Sequence, residues 1–174
     1  GVSIFPSNPT LEHYRNGLQG VAGVPFARYF FNSFVLVGTV VIGTILSSSF
    51  TAFAFARLEF RFKRILFSVM LLTIMLPFHA VLIPQYIIFN HLGWVNTYLP
   101  LIVPRYFANW GFFIFLNVQF MRAIPNQLDQ AAYVDGCNPF QIYTRVLMPL
   151  SIPSLTTTAI FSFIWTWNDF LGHL

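Results

Sequence analysis

The chain has 174 residues, 56% of them hydrophobic, 19% aromatic and 8% charged, where an ordinary soluble domain carries roughly 25% charged residues. Nine Lys and Arg against five Asp and Glu leave a net charge of +4, too small and too scattered an excess for a nucleic-acid partner. The single cysteine, Cys137, makes neither an internal disulfide nor a zinc site and reads as a small packing residue. This is the composition of an integral membrane protein in contact with lipid, and the basic excess then reports topology.

Residues 1–28 mix Pro6, Asn8, Pro9, Glu12, Arg15 and Pro25 with small residues. They read as a water-exposed outer loop holding one short helix over 11–18, N-capped by Thr10. The chain opens at Gly1 without a basic-then-apolar leader and closes at Leu174 just past an apolar run, so a fragment of a longer membrane protein is expected. A first span is expected over 29–56, because about 20 apolar residues cross a bilayer. Its Gly38, Gly43, Ser47, Ser48 and Ser49 form a packing face where helix backbones approach closely, with solute contact as the alternative.

The stretch RLEFRFKR at 57–64 is a basic loop. A second span is expected over 65–89, interrupted by Pro77 and Pro84. Their missing donors leave either a static kink or part of a moving pathway. NHLGWVNTYLP at 90–100 is a turn, with Gly93 and Asn96 at its bend and Trp94 and Tyr98 at the interface. The third span is expected over 99–121, closed by Arg122. A structured polar loop follows over 123–148, then a fourth span over 150–167, whose Trp165 and Trp167 suit an aromatic belt. The loops at 57–64 and 122–148 hold Arg57, Arg61, Lys63, Arg64, Arg122 and Arg145, leaving Arg15, Arg28 and Arg105 for the other side. Both loops are therefore expected in the cytoplasm.

Within 123–148 the punctuation is dense. Pro125 lets a new helix start, and Leu128, Ala131, Ala132 and Asp135 fall at i, i+3, i+4, i+7. Gly136 suits a C′ position with φ > 0. Asn138 and Pro139 read as N-cap and N1 of a second helix, whose Phe140, Tyr143, Thr144 and Leu147 share a face. The near-bare Ala131, Ala132 and Gly136 can sit deep in another protein's groove or pack on the chain's own spans.

The spacing here resembles the cytoplasmic signature of binding-protein-dependent ABC importer permeases: glutamate–alanine–alanine, three residues, glycine, nine residues, isoleucine–x–leucine–proline. The chain has Gln130, Ala131 and Ala132, then three residues to Gly136, then nine to Val146–Leu147–Met148–Pro149. Val146 and Met148 conserve volume. Gln130 removes the charge, and the neighbouring carboxylate, Asp129, lies on a different helix face. MLPFHAVLIPQY (75–86), LGWVNTY (92–98), AIPNQLDQAAYVDGC (123–137) and FIWTWNDFLGHL (163–174) are similar to the carbohydrate branch of these permeases, as are LEHYRNGL (11–18) and YFFNSFVLVGT (29–39).

The resemblance implies an all-α, polytopic transmembrane helical bundle covering about four spans of a six-span core. It implies transport of a sugar or oligosaccharide by alternating access, in the inner membrane of a prokaryote. A separate cytoplasmic ATP-binding subunit would dock on the 129–140 segment through Gln130, Ala131, Ala132, Asp135, Gly136, Val146, Met148 and Pro149. A second permease subunit and an extracytoplasmic solute-binding protein complete the expected set of partners, besides membrane lipid.

Other chemistries lack their residues. There is no G-x-x-x-x-G-K-[ST] loop for ATP, no H-E-x-x-H among His13, His79, His91 and His173, and no G-x-S-x-G elbow, so no catalytic group, metal or cofactor is expected. An ion-coupled carrier lacks its chain of buried charges, and a membrane-embedded enzyme lacks paired catalytic groups. Asn109 and Asn117, eight apart on the expected third span, hold helices together or contact solute along a pathway. Asn168 and Asp169 face an outer vestibule or cap the last span, and Arg105 snorkels.

Overall fold

The structure is a computed structural model that describes residues 11–20 and 23–169. Those residues form helices joined by turns, and they divide into two compact units, Gly1–Leu36 and Val37–Leu174. In the first unit α1 spans Glu12–Gln19 and ends at Gly20, which takes φ 86° and returns its N–H to Gly17 O. Leu11 occupies its N-cap without a side-chain bond; Thr10, and likewise His173, lies outside the described residues. Helix α2 runs over Phe26–Arg57, 32 residues, about 48 Å at 1.5 Å per residue, more than a hydrocarbon core requires.

In the second unit α2 turns one face inward: Val37, Val40, Thr44, Ser48 and Ala52 are buried at helical spacing while Ile42, Leu46 and Phe50 stay exposed. Gly43 lies against Tyr106, so close that a Cβ there would meet the ring at 2.5 Å. Ser47 donates to Arg105 O at 2.6 Å. Gly38 has open space around its Cα, so only part of the small-residue face is used in packing.

Helix α3 spans Lys63–Ile74 and α4 spans Phe78–His91, with a bend of 105° between them. One kinked span over 65–89 was expected. The sharper break sits at Pro77, which is extended (ψ 132°) at the α4 N-cap; proline withholds a donor and pushes its predecessor out of helical geometry. Pro84 stays inside α4. Gly93 and Asn96 both take positive φ, 68° and 63°, at the expected turn. Helix α5 (Leu99–Tyr106) and α6 (Gly111–Ala123) are separated by a break at 107–110, where Ala108 takes φ 56°. Two stretches, Phe26–Arg57 and Leu99–Ala123, are long and apolar enough to cross a membrane, or four if each bent pair counts as one span.

The last helix shows how such a chain packs. Helix α10 (Ile152–Trp167) buries Ser154, Thr158, Ser162 and Thr166, one residue per turn, and exposes Ile160, Phe161, Phe163 and Ile164. A water-soluble helix has the reverse pattern. Small hydroxyl residues inward and large apolar residues outward suit packing in lipid, where tails satisfy apolar surface and helices approach through small side chains.

Candidate functional site

The loop after α6 is built by local rules. Ile124 leaves α6 extended (ψ 129°), and α7 runs over Gln127–Val134. Gly136 takes φ 84°. Its N–H bonds Tyr133 O at 3.0 Å and that of Cys137 bonds Ala132 O at 2.9 Å. This is a Schellman closure, which satisfies the last carbonyls of the helix and needs a residue at ease with positive φ. Helix α8 (Pro139–Ile142) begins with a reciprocal capping box: Gln141 N donates to Asn138 Oδ1 at 2.9 Å and Asn138 N to Gln141 Oε1 at 2.8 Å. A π-helical turn over Tyr143–Leu147 follows, then α9 (Met148–Leu150) and α10. Pro149 has no N–H for the Arg145 carbonyl, a cause of such widening.

One cluster supports this loop. Ala132, Ile142, Tyr143 and Leu147 are buried together with Ala52, Phe53 and Phe55 of α2 and Ile114, Val118 and Met121 of α6. The Tyr143 hydroxyl meets Ser49 Oγ at 2.8 Å, and its ring packs edge-on against Phe50. The motif residues therefore separate. Ala132 faces the chain's own core, with Val146 and Met148 half-buried against it, while Gln130, Ala131, Asp135, Gly136 and Pro149 remain at the surface. Large apolar side chains stand out from the same loop: Val134 is 88% exposed and Phe140 63% exposed, with Tyr133 beside them. These three lay in plain view in a polar loop, and apolar residues at helix-end positions were the signal that could have marked them.

Asp129, in the first turn of α7, forms a buried ion pair with Arg57 Nε, the last residue of α2. The same guanidinium donates from Nη2 to Ile124 O at 2.7 Å. Asp129 Oδ1 is buried without a hydrogen-bond partner. Burial pushes the Asp129 carboxyl above its ordinary value, and the attraction of Arg57 only partly offsets this. No spacing in the sequence pointed to the pair, since Arg57 reads as one loop charge among several.

The two asparagines are not brought together. Asn117 is fully buried on α6. Its Nδ2 lies 3.1 Å from Thr158 Oγ1 and 3.3 Å from Ser48 Oγ, and its Oδ1 accepts from Ser154 at 2.8 Å. It ties α2, α6 and α10, as helix glue does. Asn109 lies in the break before α6, exposed, and accepts from Arg105 at 3.3 Å, so the two do not share one continuous helix face. Arg105 lies over the Trp110 ring at 3.8 Å, and Asn168 caps α10 by donating to Ile164 O at 2.8 Å. Among the described residues no cluster of His, Cys, Asp and Glu is arranged to hold a metal.

Apolar spans packed through small and hydroxyl residues, with an anchored polar loop between two of them, define a multi-pass α-helical membrane protein. The chain belongs to the family of binding-protein-dependent transport system inner membrane components, whose model matches residues 40–173. It is 31% identical over 177 residues to the sn-glycerol-3-phosphate transport system permease protein UgpE of Brucella abortus (strain 2308), covering 99% of this chain and 62% of that relative. It is 33% identical over 101 residues to the osmoprotective compounds uptake permease protein GgtD of Synechocystis sp. (strain ATCC 27184 / PCC 6803 / Kazusa), covering 58% of this chain and 34% of that relative. The chain thus spans less than two thirds of the length of either relative.

Proposed function

We propose that this chain is the membrane-spanning part of an ATP-driven importer and that its 129–140 segment is where a separate cytoplasmic ATPase docks. The observation that carries this is the exposure of Tyr133, Val134 and Phe140 on a loop otherwise anchored to α2 and α6. A partner groove that buries one such side chain gains about 1.5–3 kcal/mol. Three of them reach only the lower part of the 4–15 kcal/mol or so that association costs. Docking therefore also draws on polar contacts from Gln130 and Asp135, on Ala131 and Gly136, which allow close approach, and on a second permease subunit presenting its own loop.

No chemistry on the solute is asked of this chain. Its work is to change which side of the membrane its pathway faces as the docked ATPases close and open, after an extracytoplasmic solute-binding protein has delivered the solute. The names of the two relatives give their solutes as sn-glycerol-3-phosphate and osmoprotective compounds. A small polyhydroxylated solute, of the sugar or oligosaccharide class, fits that company. Asn109, exposed at the α5–α6 break, is a candidate to touch it. Asn117 serves the pathway by holding three helices around it.

Val134→Glu places a charge at the most exposed apolar position of the loop without touching the core. The full-length permease extracted in mild detergent is expected to co-purify with a Walker-motif ATPase, and Val134→Glu to lose it while the yield of folded permease is unchanged. An ATPase retained at full stoichiometry by Val134→Glu, or absent from every wild-type preparation, refutes the docking role.

A further inference from the structure

Helix α7 offers the rest of the chain very little. Its buried residues are Asp129 and Ala132: one carboxylate and one methyl group. A methyl makes a weak and slippery hold, so the directional tie from α7 to α2 is the ion pair to Arg57. The guanidinium is placed across a joint. With Nε it meets Asp129, on the first turn of α7, and with Nη2 it holds the Ile124 carbonyl, the first extended residue after α6. Arg122, in the last turn of α6, crosses back the other way and donates to Phe55 O of α2 at 3.4 Å. Two arginines thus lace the C-terminal end of α2 to the hinge between α6 and α7.

A buried ion pair is a poor device for stability alone. Apolar side chains of the same volume often hold a fold as well or better, because charges must be stripped of water. Here the cost is raised further, since Asp129 Oδ1 and Arg57 Nε are both buried without a hydrogen bond and the pair is held by charge. What such a pair does well is direction: it fixes one relative placement of two elements and resists sliding, which packed methyl groups do not. Val134 lies five residues beyond Asp129, about 7.5 Å along the helix axis. The exposed end of α7 and its pinned end are therefore close enough to move as one short lever.

Resting on the docking reading above, we propose that Arg57 and Asp129 are positioning residues that make α7 and α2 one mechanical body, so that movement imposed on the docking loop reaches the long membrane helix. Arg57 serves both at once: its Nη2 donates to the Ile124 carbonyl while the delocalised charge at Nε meets the Asp129 carboxylate.

The test is a distance measured in the full-length permease with its ATPase in lipid nanodiscs, in a Cys137→Ser background. Spin labels are placed at Ile42→Cys, on the exposed face of α2, and Gln127→Cys, exposed on the first turn of α7 and outside the docking segment. With the pin intact, the nucleotide-free and ATP–vanadate-trapped states should give the same distance to within about 2 Å, the scale of a packed helix shift. In Asp129→Asn, and separately in Arg57→Met, the ATPase should stay bound while the trapped distance departs from the free one by about 5 Å, near one helical turn. Asp129→Glu should behave as the parent. The pin is refuted if the parent distance itself changes on trapping, if either variant tracks the parent, or if both variants merely lose ATPase in step with folded permease. A parent protein with no ATPase bound fails the docking reading instead, and the two failures are separable in one preparation.

Discussion

The residues that matter most here are polar groups under apolar surface, and their surroundings decide what each does. Asn117 is surrounded by hydroxyls from two other helices, so its amide is satisfied and it holds the bundle together. Asp129 is not fully satisfied, and its carboxyl is raised above the ordinary 3.8. The sign follows from proton counting. Between the ordinary value and the raised one the folded state binds more protons than the unfolded state, so stability falls as pH rises through that window and levels off above it. Thermal midpoints of the parent and of Asp129→Asn, taken from pH 4 to 8 in detergent, should therefore differ by an amount that changes with pH in that direction. A difference that stays flat with pH would show that burial does not govern this carboxylate.

At the scale of elements, the loop proposed to dock the ATPase is two short helices joined by a closure that only certain residues permit. A Cβ at Gly136 would meet nothing within 4 Å, so the cost of substitution there is backbone conformation alone. An L-residue in the left-handed region costs about 1–2 kcal/mol, and a β-branched one sits at the unfavourable end. Gly136→Val should loosen the end of α7 and weaken ATPase co-purification, while Gly136→Asn, which tolerates positive φ, should retain most of it. Equal retention by both would remove the closure from the docking argument. The same reasoning makes Gly43 different in kind, since there a side chain collides with Tyr106.

For the whole molecule, inward-facing small and hydroxyl residues and outward-facing large apolar ones are what a lipid-embedded bundle requires. We propose that the basic excess on the loops at 57–64 and 122–148 sets its orientation, with both loops in the cytoplasm. In a Cys137→Ser background, Arg61→Cys should react with a membrane-impermeant maleimide in inverted vesicles and not in intact spheroplasts. Leu92→Cys, exposed in the turn after α4, should do the opposite. Labelling of Arg61→Cys in spheroplasts would invert the topology and place the 129–140 loop out of reach of any cytoplasmic ATPase.

The amino-acid sequence by itself determined the membrane class, the turn at 90–100, the positive φ at Gly136 and the cap at Asn138, because proline, glycine and asparagine act on the backbone within a few residues of themselves. Its motif spacing was also enough to point to the permease family. Tertiary structure alone decided the rest. It turned Ala132 inward and left Val134 out, broke the stretch after α3 by 105°, and split Asn109 from Asn117 at the α5–α6 break. It also set Tyr143 against Ser49 across 94 positions and brought Arg57 onto Asp129. The physical reason is that such pairings arise from which helix faces meet. Within one lipid-compatible helix, periodicity shows a face but not its neighbour.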